Sequence, residues 1–66
     1  MEYTNSQIKA LIDDWVHSER DRAILYRRLV DGICFEPLAE EFGLSVRHVK
    51  TIVYKNEQIL FSHLPG

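Results

Sequence analysis

The amino-acid sequence predicts an all-α fold, a small domain of four helices in which an N-terminal helix joins a three-helix core that contains a helix-turn-helix. Apolar residues recur at helical spacing along the chain, and no period-2 alternation is long enough to indicate a strand. Residues typical of helix starts and helix ends separate the apolar stretches. The 66 residues therefore predict one domain, with a core of a single layer.

The first helix is predicted over about residues 5–17. Thr4 is followed three residues later by Gln7, which is the pattern of a capping box at a helix start. The apolar residues that follow are spaced i, i+3, i+4, i+7 and i+8, and so form one stripe: Ile8, Leu11, Ile12, Trp15 and Val16. Because the stripe should face the core, we expect the indole of Trp15 to be buried.

The second helix is predicted over about residues 19–31. Ser18 and Asp21 repeat the pattern of a helix start after a very short joint. The residues expected to face inward are Ala23, Ile24, Leu25, Tyr26, Leu29 and Val30. Gly32 can adopt the left-handed conformation that a helix end requires, so we expect the helix to stop there.

The third and fourth helices are predicted to form a helix-turn-helix over about residues 35–56. Pro37 is compatible with the first turn of the third helix, Gly43 ends that helix, and Ser45 caps the fourth. A tight turn containing glycine is typical of this motif, and Ala39 is small enough to let the two helices cross closely. The apolar stripe extends the fourth helix to about residue 61, and Pro65 and Gly66 should prevent any continuation.

Charge is distributed unevenly along the chain, although its net value is only −2. Residues 1–19 carry four acidic side chains and one basic one, a balance of −3, whereas residues 20–55 carry seven basic and five acidic ones, a balance of +2. No acidic residue lies between Arg47 and Lys55. A modestly acidic protein can still present one basic surface, so the sequence is compatible with nucleic acid as a partner.

The side of the fourth helix that faces away from the core is the predicted binding surface. At 100° per residue, Val49, Ile52 and Val53 lie on one side, and the opposite side carries side chains suited to base edges and phosphates. The predicted DNA-binding residues are Ser45, Arg47, His48, Lys50, Thr51, Tyr54 and Lys55. Arg27 and Arg28 of the second helix either lie on a solvated helix face or contact phosphates beside this surface.

Other classes of function have little support in the sequence. There is no glycine-rich phosphate loop, no nucleophile motif and no metal-ligand spacing, so we expect neither an enzyme nor a cofactor. The single cysteine, Cys34, is expected to be a reduced side chain near the core. No apolar run approaches the roughly 18 residues of a membrane span, and the N-terminus lacks the pattern of a secretory signal, which predicts a cytoplasmic protein without membrane partners.

About forty residues of the chain, from Asp21 to Leu60, resemble region 4 of bacterial sigma factors and, more loosely, the helix-turn-helix of small phage-type regulators. The matching features are the stretch DRAILYRRLVDGI, Leu38-Ala39, Gly43, Ser45 and Val49-Lys50. Cys34 and Pro37 depart from that pattern, in which a hydroxyl residue and an acidic residue are usual. Nothing in the sequence resembles the domain of a sigma factor that binds the −10 element, so we expect a stand-alone module.

The resemblance implies sequence-specific binding of double-stranded DNA through the major groove, in promoter recognition or transcriptional regulation. It also implies RNA polymerase as a partner, because region 4 contacts the polymerase as well as DNA. The alternative is a protein-interaction module that contacts the polymerase or another regulator without reading DNA. A single recognition helix gives a small footprint on DNA, so a homodimer is a further expectation.

Overall fold

The computed structural model describes residues 4–63, and among them it contains helices and no strand. Helix α1 spans Asn5–Trp15, α2 spans Glu19–Leu25 and continues directly into a π-helical segment at Tyr26–Val30, α3 spans Phe35–Phe42, and α4 spans Val46–Ser62. The predicted all-α fold class with four helices is confirmed. Helix α1 ends at Trp15, two residues before the predicted end, and the stop expected at Pro65 and Gly66 lies outside the described residues.

Three of the four helices begin at the capping residues that the sequence indicates. The Thr4 hydroxyl accepts from the backbone N–H of Gln7 at 3.2 Å, while the Gln7 side chain accepts from the backbone N–H of Thr4 at 2.9 Å. Ser18 and Ser45 each accept a hydrogen bond from the amide three residues on, at 3.3 and 3.1 Å. These bonds satisfy amides that have no partner within a first helical turn.

The π-helical segment is a difference from the continuous α-helix predicted over residues 19–31. Within it the backbone bonds span one residue more than in an α-helix, and Asp31 N–H donates to Tyr26 O at 3.1 Å. The segment closes when Ile33 N–H donates to Arg27 O at 3.0 Å, with Gly32 between them at a φ of +73°. Gly32 thus ends the helix as predicted, but after a widened last turn.

All four helices contribute side chains to one apolar core. Its buried members are Ile12, Val16, Ile24, Leu25, Leu38, Ala39, Val49, Ile52, Val53 and Leu60. Asn56 is buried among them, and its Nδ2 donates to Ile52 O at 2.8 Å, which satisfies the amide inside the helix. Ile12 and Val16 are thus the buried members of the predicted α1 stripe, whereas Ile8 and Leu11 are only partly buried.

Three apolar or small residues expected in or near the core are exposed instead. Trp15 is 42% exposed and is the last residue of α1. Its ring stacks on His63, with centroids 3.5 Å apart and planes within 2° of parallel. Ile59 lies at one edge of the apolar stripe of α4 and is 36% exposed. Cys34 is exposed because it is the residue before α3 and lies outside its first turn.

A hydrogen bond ties α1 to the π segment. The Tyr26 hydroxyl donates to the Asp13 carboxylate. This bond, followed by partial burial, raises the pKa of the Tyr26 phenol above its ordinary value of 10.0. This hydrogen bond therefore links α1 to the end of the second helix.

The turn between α3 and α4 consists of Gly43, Leu44 and Ser45. Gly43 has a φ of +66°, a left-handed conformation that L side chains rarely adopt, and Leu44 N–H donates back to Ala39 O at 2.9 Å. Leu38 and Ala39 are buried on α3, and the half-buried Leu44 packs against the same core. The short turn therefore holds α4 against α3 and fixes which side of α4 faces solvent.

Candidate nucleic-acid interface

The exposed side of α4 carries every residue of that helix predicted to bind DNA. Arg47, His48, Lys50, Thr51, Tyr54 and Lys55 are all exposed, as is the capping residue Ser45. The opposite side is buried through Val49, Ile52, Val53 and Asn56. The structure thus brings the predicted residues together on one surface, here called the α4 face.

The chemistry of the α4 face is cationic with hydrogen-bonding groups interspersed. From Val46 to Asn56 the helix has no acidic residue, and the first one, Glu57, is partly buried. The Thr51 hydroxyl donates to Arg47 O at 3.0 Å, so its oxygen remains available only as an acceptor while its methyl group stays free for apolar contact. Such a face suits a ligand that combines negative charge with hydrogen-bonding edges.

The Arg27 side chain forms ion pairs with two carboxylates of the protein. Its guanidinium lies 2.7 Å from Glu41 Oε1 and 3.0 Å from Asp31 Oδ2, which links the π segment to α3. The hydrogen bonds to Glu41, then those to Asp31, raise the pKa of Arg27 above its already high ordinary value, so it stays charged. Arg27 thus has a side chain that is 40% exposed on the helix surface, with its guanidinium paired to Glu41 and Asp31.

Arg28 has a different environment and keeps its charge uncompensated. Its Nη1 donates to Ile33 O at 3.1 Å, and its guanidinium carbon lies 4.2 Å from the centroid of the Phe35 ring. Within residues 4–63 it makes no ion pair with a carboxylate. A cation over an aromatic face is held by the ring quadrupole while its remaining N–H groups stay available to donate.

Phe35 is the organising residue of this region, and sequence reasoning did not identify it. The Lys50 ammonium lies 5.6 Å from the same ring centroid, and the Tyr54 ring meets Phe35 edge to face at 5.9 Å. Arg28, Phe35, Lys50 and Tyr54 are called the Phe35 cluster below. No spacing in the sequence indicates this cluster, because its members come from the π segment, α3 and α4.

A shallow groove runs beside the Phe35 cluster. It is lined by Cys34, Phe35, Glu36, Pro37, Val46 and Lys50, and so lies where the beginnings of α3 and α4 meet. The Cys34 side chain does not cap α3, which leaves the first amides of that helix without a side-chain acceptor. The groove is therefore bounded by one cation, one carboxylate and the positive end of a helix.

Across residues 4–63, no three His, Cys, Asp or Glu side chains gather into a group that could hold a metal ion. Over the same range, none of the helices combines the length and apolar character that crossing a membrane requires. Comparison of the chain with protein-family models, with curated proteins and with solved structures finds no match.

Proposed function

We propose that this protein binds double-stranded DNA in a sequence-specific manner, with α4 lying in the major groove. The observation that carries the proposal is the one-sided α4 face, where Arg47, Lys50 and Lys55 are exposed on a helix whose other side is buried in the core. A helix held by a tight turn from the preceding helix is the arrangement with which helix-turn-helix proteins present side chains to base edges.

The roles within the α4 face follow from side-chain chemistry. Arg47 can pair bidentately with guanine, and Thr51 offers an acceptor oxygen and a methyl group to base edges. Lys50 and Lys55 neutralise phosphates, and Ser45 and His48 lie near the start of the helix, where its amides face an anion. Tyr54 adds a hydroxyl and an aromatic ring to the same surface.

The biological role that fits this activity is transcriptional regulation or promoter recognition in the cytoplasm, as the resemblance to sigma region 4 implies. One recognition helix buries only roughly 600–1,000 Å² on DNA, so useful specificity requires a second copy of the chain or a larger complex such as RNA polymerase. The proposal therefore includes a partner protein or a homodimer on DNA.

The test is the salt dependence of binding. Neutralising even three phosphates makes log affinity fall with log salt at a slope of about −3, whereas readout of uncharged groups has a flat response. We expect binding to mixed genomic fragments at low salt with a slope of this size, and selection from a random DNA pool should then yield a preferred sequence. A flat response, or no binding at low salt, would sink the proposal.

The alternative is a protein-interaction module, and one observation favours it. Two large apolar side chains that do not belong to the α4 face are exposed: Phe61 is 58% exposed and Trp15 is 42% exposed. Exposed aromatic residues of this kind are enriched at protein interfaces. If DNA binding fails, direct binding to RNA polymerase or to another regulator becomes the leading function, and substitution of Phe61 by Ser is the first variant that should weaken it.

A further inference from the structure

The Phe35 cluster places two unpaired cations beside one aromatic ring. The Arg28 guanidinium and the Lys50 ammonium lie 4.2 and 5.6 Å from the Phe35 centroid, so they are no more than about 10 Å apart. Among residues 4–63 neither makes an ion pair, although Arg27 next to Arg28 takes two carboxylates. Two like charges held this close, without a counterion from the protein, form a site suited to an external anion.

The upper limit of about 10 Å on the separation of the two cations is compatible with both contacting a single phosphate group. Two charge-assisted hydrogen bonds of about 2.8 Å, one on each side of a pair of phosphate oxygens, span roughly 8 Å in all. The Nη1 atom of Arg28 is used by Ile33 O, which fixes the guanidinium and leaves its other N–H groups to donate outward. The uncapped amides at the start of α3 add positive potential to the same groove.

We propose that Arg28 and Lys50 together hold one phosphate of the DNA backbone, and that Phe35 is the residue that positions both cations for it. This inference rests on the proposed function, because the anion is a phosphate of the duplex that α4 reads. It extends the interface from α4 to the π segment and α3. It also separates Arg28, which contacts DNA, from Arg27, whose guanidinium is paired with Glu41 and Asp31.

The proposal makes a specific statement about additivity. Because the salt slope counts neutralised phosphates, each phosphate contributes about −0.9. If Arg28 and Lys50 share one phosphate, the double variant R28Q/K50Q should lose only about 0.9 from the slope. Separate phosphates would instead give a loss of about 1.8 in that variant. The single variants R28Q and K50Q should each lose much less than about 0.9, because the remaining cation still neutralises the shared phosphate, whereas the matched control K55Q should lose about 0.9 by itself.

The experiment measures binding of the full chain to a short mixed-sequence duplex by fluorescence anisotropy, between about 50 and 200 mM salt. A loss of about 1.8 in R28Q/K50Q, equal to the sum of losses of about 0.9 in each single variant, would overturn the shared phosphate. A wild-type protein with no salt-dependent binding would instead overturn the proposed function itself. If the wild-type slope is steep and R28Q/K50Q leaves it unchanged, the phosphate contact of Arg28 and Lys50 would be overturned, while the proposed function would stand.

A second measurement tests the positioning role of Phe35. F35L keeps both cations but removes the ring, and should weaken binding of all duplexes by about two- to five-fold, the range expected for an exposed cation–π contact. F35Y keeps the ring and should restore wild-type affinity. Wild-type affinity in a folded F35L would overturn the positioning role, and thermal melting of each variant shows whether it is folded.

Glu36 is the carboxylate that lines the groove, so E36Q should strengthen binding of all sequences, and weaker binding by E36Q would contradict an anion there.

Discussion

Arg27 and Arg28 are adjacent in the chain, yet their different partners give them different physical roles. Arg27 joins Asp31 and Glu41 in ion pairs whose members are all substantially exposed, and such pairs contribute little to stability because solvent screens them. Arg28 instead lies over Phe35 with its charge uncompensated by a described carboxylate. Only the second arrangement leaves a cation able to gain energy from an incoming phosphate, which is why the two residues are assigned separately.

At the residue scale, fold and function should separate within α4 itself. Ile52 is 6% exposed, so Ile52→Ala empties a core site and should cost about 2–5 kcal/mol of unfolding free energy. Arg47 faces solvent, so Arg47→Ala should change stability by no more than about 0.5 kcal/mol. Urea denaturation of the two variants checks this difference.

The same Arg47→Ala variant should weaken specific DNA binding by about 1–3 kcal/mol and relax the preference at one base position. Lys55→Ala serves as the control, because loss of a phosphate contact weakens all sequences alike. Should Arg47→Ala destabilise the fold as much as Ile52→Ala, or leave DNA binding untouched, the α4 face would be assigned wrongly.

Among the elements, helices marked by capping residues and by apolar stripes could be predicted from the sequence. Features that depend on tertiary contacts could not. Thr4, Ser18 and Ser45 act locally, so their capping role is visible in the chain. The π segment has no such signal, because Tyr26–Val30 reads as an ordinary helical stretch and its widened turn is set by how the end packs. Periodicity also does not predict the exposure of Trp15, because it gives the direction of a stripe and not the position of the last helical residue, which is Trp15 itself.

The candidate site divides in the same way. The α4 face could be predicted, because one helix defines both its buried and its exposed sides through a 100° rotation per residue. The Phe35 cluster could not, because it depends on the meeting of three separate elements. Sequence patterns therefore identified the exposed groups of the α4 face, whereas Phe35 and the cations around it emerged only from the packing.

The α3–α4 turn gives a prediction for an element boundary. Gly43 has a φ of +66°, and a Cβ built there would meet no atom within 4 Å, so a substitution is strained by its backbone and not by a clash. Gly43→Ala should therefore cost about 1 kcal/mol of unfolding free energy. Gly43→Asn should cost less, because asparagine tolerates the left-handed conformation. If urea denaturation showed equal losses of unfolding free energy for the two variants, the left-handed conformation at Gly43 would not be the cause of the loss.

At the scale of the whole molecule, the small core makes every helix necessary. The buried residues come from all four helices and form one cluster, and a domain near this size draws only about 3–5 kcal/mol of stability from its core. Helix α1 is joined to the rest through the buried Ile12 and Val16, the Tyr26–Asp13 hydrogen bond and the stack of Trp15 on His63. The N-terminal helix is thus part of the core and not an appendage to the helix-turn-helix.

This shared core predicts that the molecule unfolds as one cooperative unit. Trp15 is the only tryptophan, so its fluorescence reports the docking of α1, while far-UV circular dichroism reports all helices together. The two transitions should coincide in urea, which is the test of two-state behaviour. Ile12→Ala should shift both midpoints together and by the same amount, because Ile12 is fully buried in the common core. His63→Ala is the matched control: it changes the surroundings of the half-exposed indole and hence its emission, but should move the two midpoints little. If the fluorescence transition preceded the loss of helix signal, α1 would melt separately, and the remaining three helices would have to be stable without it.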